Sequence, residues 1–189
     1  MLEKLLSLDT ELFVCLNGLG SNTYDGFWLF VTKQFNWIPL FLVLLYLIFK
    51  KIGVKQTLYL LLFVALLITF TDQVTNLFKY TFQRLRPCNN LSIKNVMRVV
   101  QTRNSFSFFS GHAANSMAVT TFLYLSVSRY FKFFGALVLW PLIFAYSRIY
   151  LGLHYPLDIL TGYLFGVLFG CLVFKLYEFA QKKYFPNKL

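Results

Sequence analysis

The stretch Ser147-Arg148-Ile149-Tyr150-Leu151-Gly152-Leu153-His154-Tyr155-Pro156-Leu157-Asp158 separates two apolar runs, one ending near Ser147 and the next opening near Pro156. Proline suits the first turn of a helix, where its missing N–H is no loss. Pro156 therefore predicts that His154 stands just ahead of a helix and Asp158 within its opening turn. Polar residues return in two other islands, Lys79 to Pro87 and Ser110-Gly111-His112. Together the islands hold Lys79, Arg86 and Arg148, the two histidines of the chain, and one carboxylate, Asp158.

Everything around them is oily. In 189 residues, 58% are hydrophobic and 13% charged, a balance that predicts an all-α integral membrane protein. The net charge of +11 is spread as single Lys and Arg residues between apolar spans, a pattern that argues against a nucleic-acid partner. Met1 to Gly20 carry Glu3, Asp9 and Glu11 and lack a small-residue cleavage site, so no removable signal peptide is expected. Cys15, Cys88 and Cys171 are odd in number and far apart, and read as small apolar residues rather than a disulfide or zinc set.

Along the chain, residues 4 to 17 place leucines near helical spacing, which predicts an N-terminal helix lying in the membrane interface. A short helix is expected from Tyr24 to Val31. Spanning helices are expected over Trp37 to Phe49, Thr57 to Lys79, Ser110 to Val127, Phe133 to Ser147 and Pro156 to Tyr177. The first is short of the roughly 20 residues that a bilayer needs, unless the preceding helix lengthens it. The expectation is one domain over 1–189, with interfacial helices in 1–35, a bundle of five to six transmembrane helices over 36–189, and a motif core at 79–158.

Parity then brings the islands together. Lys79 ends one span, Ser110 starts the next, Arg148 ends another and Asp158 starts the last, so all four fall on one membrane face. The opposite face receives Lys50, Lys51, Lys55, Arg129, Lys132, Lys175, Lys182, Lys183 and Lys188. By the positive-inside rule that face is cytoplasmic, which predicts a multi-pass protein of the cytoplasmic membrane with its polar site facing the periplasm or outside. Arg84, Lys94, Arg98 and Arg103 sit against this trend on the site face. In the last span Gly162, Gly166 and Gly170 repeat every four residues, a ridge that permits close packing within the chain or, alternatively, dimerisation.

The polar residues suit phosphate chemistry. A phosphate ester at the bilayer surface must be neutralised before a nucleophile approaches, and Arg offers bidentate donors where Lys offers a point charge. A lone lysine at a helix end is usually a snorkelling anchor, and a lone Ser-Gly an ordinary helix start. Together with the other islands, Lys79, Arg86, Ser110, Gly111 and Arg148 read as phosphate ligands. A neutral His154 reads as the nucleophile, with Asp158 orienting its ring and His112 beside the leaving group. Asp72 and Asn76 lie on the helical face of Lys79 inside the membrane. An intramembrane carboxylate needs a partner or a water-lined cavity. They are expected to orient Lys79, to line the substrate's route, or to make a polar contact to a neighbouring helix.

The three islands resemble the signature of the phosphatidic acid phosphatase type 2 superfamily, which includes vanadium haloperoxidases and glucose-6-phosphatase. Its lysine, six residues, then Arg-Pro reads here Lys79 to Arg86-Pro87, a full match. Its Pro-Ser-Gly-His reads Phe109-Ser110-Gly111-His112, with the proline replaced by phenylalanine. Its Ser-Arg, five residues, His, three residues, Asp is matched by Ser147, Arg148, His154 and Asp158. The resemblance implies a haloperoxidase-like helical core, Lys79, Arg86, Ser110, Gly111 and Arg148 on phosphate, His112 as general acid, His154 as nucleophile and Asp158 as its partner. It implies no metal or other cofactor. The expected function is that of a lipid phosphatase, most like the bacterial undecaprenyl-diphosphate phosphatases. Lipid A phosphatase, phosphatidylglycerophosphate phosphatase, or a non-catalytic phospholipid-binding or transport protein are the alternatives. The expected partners are the lipid substrate and the bilayer. The sequence leaves the oligomeric state open.

Overall fold

The computed structural model describes residues 1–184. Among them the chain forms seven α-helices and no strand: α1 (Leu2–Gly18), α2 (Asn22–Val31), α3 (Ile38–Ile52), α4 (Val54–Phe82), α5 (Gly111–Val127), α6 (Leu139–Tyr150) and α7 (Pro156–Tyr184). Lys188 lies outside the described residues. A 3-10 turn over Gln34–Trp37 runs into α3 and supplies the extra length that the first span needed, giving 19 residues over Gln34–Ile52. This segment, the stretch Val54–Ile93 that contains α4, and α7 are long and apolar enough to cross a membrane. α5 and the Phe134–Tyr150 segment containing α6 are shorter. The protein is a multi-pass membrane protein built on five helices, α3 to α7, with α1 and α2 packed at one end.

Two backbone breaks set the topology. Gly53, at φ 79°, joins α3 to α4 in a one-residue turn that a side chain would strain. Gln83, at φ 46°, is the left-handed cap of α4, its N–H bonded to the Lys79 carbonyl at 3.0 Å. The chain then leaves the membrane for the loop carrying Arg84 and Arg86. Because α3 and α4 turn back at Gly53, Lys50, Lys51 and Lys55 gather at the end opposite Lys79, as parity predicts.

α5 and α7 form the central pair. A Cβ added to Gly162, Gly166 or Gly170 would stand 2.8, 2.6 and 2.8 Å from the carbonyl oxygens of Ser110, Ala114 and Ala118 respectively. The four-residue repeats on the two helices are in register, so the backbones run parallel and touch. The glycine ridge therefore packs within the chain. The other face of α7 exposes Leu160, Leu164, Leu168, Leu172 and Leu176, the lipid-facing side of a spanning helix. α1 does more than lie in the interface, since Phe13 and Asn17 are fully buried against the C-terminal end of α6 and the N-terminal end of α7.

Candidate active site

Each island occupies a helix end at one end of the bundle. Lys79 sits in the last turn of α4, Gly111 and His112 open α5, Arg148 is in the last turn of α6, and His154 stands two residues before α7. Lys79, Arg86, Gly111, His112, Arg148 and His154 all line one cavity of about 580 Å³. Its polar end holds these groups with Arg103 and Ser105. Most of the rest of its wall is apolar, with Phe41, Leu45 and Ile48 of α3, Leu60, Val64 and Ile68 of α4, and Trp140 and Phe144 of α6.

His154 is buried and fixed on both nitrogens. Arg86 Nη1 lies 2.9 Å from His154 Nε2. Guanidinium only donates, so Nε2 is the unprotonated acceptor and Nδ1 carries the ring proton. Nδ1 faces Asp158 Oδ2 and Ser107 Oγ, each at 3.3 Å. Burial, reinforced by Arg86, Arg148, Lys79 and Arg103, holds the imidazole well below its ordinary pKa of 6.5, in the neutral form this hydrogen bonding requires.

Asp158 is fully buried, behind His154 and away from the cavity. Its Oδ2 also accepts from the Tyr155 N–H at 3.0 Å and from the Ser107 hydroxyl. Its Oδ1 accepts from Arg84 Nη1 at 2.7 Å. Arg84 Nη2 continues to Asp9 Oδ2 of α1 at 2.6 Å, and Asp9 Oδ1 accepts from the Leu157 N–H at 2.8 Å. The guanidinium also lies 4.1 Å from the centre of the Tyr155 ring.

Arg86 is anchored to the Ser105 and Leu153 carbonyls at 2.7 and 2.9 Å. Arg148 is 1% exposed, donates through Nη1 to the Thr32 hydroxyl, and leaves Nε without a partner. A buried cation with an unpaired donor is costly unless an anion meets it. Lys79 Nζ lies against Gly111, 3.8 Å from where a Cβ would stand. The His112 ring stacks on Phe144, centroids 4.9 Å apart.

Ser110 departs from its expected place. It is fully buried and does not line the cavity; its hydroxyl caps the Ala113 N–H at 3.5 Å and its own N–H donates to the Asp158 carbonyl at 3.0 Å. The cap engages an acceptor lone pair of that hydroxyl, and burial keeps the side chain out of the cavity. Asp72 and Asn76 line the cavity, but Asp72 bonds Asn115 Nδ2 at 2.5 Å and makes no ion pair with Lys79. Among the described residues no three His, Cys, Asp or Glu side chains gather as a metal site.

A profile described as the PAP2 superfamily matches residues 56–182. The chain belongs to the PAP2 superfamily. Among curated proteins, a lipid A 4'-phosphatase of Bacteroides thetaiotaomicron is 37% identical over 92% of this chain and 79% of its own length. A lipid A 4'-phosphatase of Porphyromonas gingivalis is 29% identical over 97% of this chain and 78% of its own length. An undecaprenyl-diphosphatase of Sulfolobus acidocaldarius is 29% identical over 87% of this chain and 76% of its own length. Of solved structures, Aquifex aeolicus LpxE superposes with a TM-score of 0.66 at 27% identity, over 89% of this chain and 95% of that one. A Bacillus subtilis PAP2-type phosphatidylglycerolphosphate phosphatase reaches 0.70 at 19% identity, over 98% and 90%, and shows the shared fold.

Around this PAP2 core the structure adds residues that the motif reading missed. Arg84, Ser107 and Asp9 complete the shell of Asp158, Thr32 holds Arg148, and Arg103 joins the cations at the polar end. Arg84 had one sequence signal, its place inside the Lys79–Pro87 island and against the positive-inside trend.

Proposed function

We propose that this protein removes a phosphate group from a membrane lipid through a covalent phosphohistidine on His154. The observation that carries the reading is the state of that ring. Nδ1 is held by Asp158 and the Nε2 lone pair is directed at the donors lining the cavity. An arriving phosphate oxygen competes with Nε2 for Arg86 Nη1, and capturing it frees the lone pair. Nε2 then attacks phosphorus while the bond to the lipid oxygen breaks, and His112 protonates that oxygen. Lys79, Arg86, Arg148 and the N-terminus of α5 at Gly111 hold the other phosphate oxygens. Water, deprotonated by His112, then cleaves the phosphorus–nitrogen bond and returns neutral His154. Ser110 serves by fixing the turn that presents Gly111 and His112.

The substrate favoured is an acylated sugar phosphate of the lipid A type. It is what two relatives that this chain matches over more than three-quarters of their length are named for. Undecaprenyl diphosphate is the second reading, supported by the Sulfolobus relative and by cations enough for two phosphates. The site's placement on the outer face of the cytoplasmic membrane rests on the lysines gathered at the opposite helix ends. Arg84 and Arg98, which run against that trend, are ion-paired to Asp9, Asp158 and Asp25.

The test is phosphate release by detergent-purified protein, chelator present, from lipid A, undecaprenyl diphosphate and phosphatidylglycerophosphate, beside His154→Ala. Release lost in the variant, with an acid-labile phosphoenzyme in the wild type, is the expected result. Lipid binding without release by either protein would favour a binding protein instead.

A further inference from the structure

The apolar cavity carries a short polar belt that the phosphate chemistry leaves unused. Asp72, Thr75 and Asn76 of α4 line it one to two turns inward of Lys79, and Asn115 of α5 lines it one turn inward of His112. That places the belt roughly 5–10 Å below the phosphate cations. Deeper than this the walls are hydrocarbon as far as Leu60, roughly 28 Å from Lys79 along α4.

Two acceptor atoms of this belt stand unpaired among the described residues. Asn115 spends Nδ2 on Asp72 Oδ1 at 2.5 Å, which orients its amide and leaves Asn115 Oδ1 buried with no donor. Among the described residues nothing donates to Asp72 Oδ2. The Thr75 hydroxyl, in a side chain 1% exposed, is likewise buried without a partner. Ile38 and Leu42 of α3 and Asp72 and Asn76 of α4 line the cavity while remaining exposed at the protein surface, so the groove opens sideways between these helices. A lipid can slide in there with its head at the cations and its tail along the apolar wall.

We infer that this belt is a specificity subsite for lipid phosphates whose hydrophobic part begins with hydrogen-bond donors, amide N–H or hydroxyl groups, as in an acylated amino-sugar. A polyprenyl chain has no such group beyond its phosphates and leaves the acceptors unpaired against hydrocarbon, which costs binding. The ester carbonyls of a diacylglycerol phosphate are acceptors and cannot pair with Asp72 Oδ2 or Asn115 Oδ1. The inference rests on the phosphatase reading above and sharpens it to one substrate class.

The experiment compares kcat/KM for lipid A, undecaprenyl diphosphate and dioleoyl phosphatidate, in mixed micelles of one composition, for the wild type, Asn115→Leu and Asp72→Asn. The reading is the ratio between substrates within each protein, which partial misfolding does not change. The lipid A to undecaprenyl diphosphate ratio should fall about ten- to a hundred-fold in Asn115→Leu, mostly through KM, and less in Asp72→Asn, which keeps one acceptor. An unchanged ratio in both variants, or a wild type that prefers undecaprenyl diphosphate, overturns the subsite while leaving the phosphatase standing. A wild type silent on all three lipids overturns the phosphatase reading and the subsite with it.

Discussion

Arg84 donates to Asp158 Oδ1 at 2.7 Å, the carboxylate oxygen that does not face His154. The aspartate that faces the His154 ring is thus itself held by a guanidinium, and that guanidinium by Asp9 of α1. With Asp158 fully buried and the Arg84 side chain 18% exposed, removing the arginine strands a buried carboxylate, a loss of about 3–5 kcal/mol in comparable pairs. Arg84→Ala should lower thermal stability by about that much and reduce kcat more than it raises KM. Arg84→Lys keeps the charge without bridging both carboxylates and should recover part of the stability. A variant as stable and active as the wild type would show that the bridge is ornamental.

The neutral state of His154 predicts a pH dependence. Burial first, then the surrounding cations, hold its folded pKa well below 6.5. The unfolded chain takes up a proton near the ordinary value while the folded protein resists it, so stability rises with pH across that window. This contribution is complete above 6.5 and is lost as pH falls toward the folded value. The same shift keeps Nε2 unprotonated in mild acid. The acid limb of kcat/KM should lie below 6.5, once the lipid phosphate's own ionisation, titrated in the same micelles, is taken out. An acid limb at or above 6.5 would contradict the neutral ring.

The sequence made the helices legible because each is a long apolar run bounded by polar or glycine punctuation, and Gly53 and Pro156 mark breaks that the backbone obeys. The convergence of the candidate residues was legible because they lie near helix ends whose parity is fixed once the spans are counted. Asp9, Asn17 and Thr32 were not, since they meet their partners across 75 to 148 residues in segments that read only as amphipathic or short helices. Ser110 shows the opposite ambiguity. A serine ahead of a helix is both a cap and an anion donor in the one-dimensional pattern, and only geometry shows which bond its hydroxyl makes.

The glycine ridge gives a third prediction. A Cβ at Gly166 would stand 2.6 Å from the Ala114 carbonyl oxygen and 2.8 Å from Met117 Cβ, and backbone cannot yield as a side chain can. Overpacking a core commonly costs about 1–3 kcal/mol. Gly166→Ala should lower the melting temperature in detergent, and Gly166→Leu should prevent folding. Gly26 in α2, where a Cβ meets nothing within 4 Å, is the control, and Gly26→Ala should be neutral or slightly stabilising. If Gly166→Leu instead folded normally and only changed the oligomeric state, the ridge would be an intermolecular seam.

Asn17 offers the sharpest contrast between a truncation and a nearly isosteric change. It is fully buried, and its Nδ2 donates to the carbonyls of Arg98, Ile149 and Tyr150 at 3.1, 3.1 and 3.0 Å while its Oδ1 accepts the Arg98 N–H at 2.7 Å. This amide ties α1 to the end of α6 and to the loop that carries Arg103. Asn17→Ala leaves these groups unpaired and should cost about 1–3 kcal/mol. Asn17→Asp preserves the shape but replaces the donor with a second acceptor facing three carbonyl oxygens, and an uncompensated buried charge costs more than a cavity. Aspartate should therefore be the worse substitution in thermal unfolding, with faster protease cleavage in the 94–106 loop and activity lost in parallel. If the aspartate variant matched or exceeded alanine in stability, the amide's donation to the three carbonyls would not be what anchors α1.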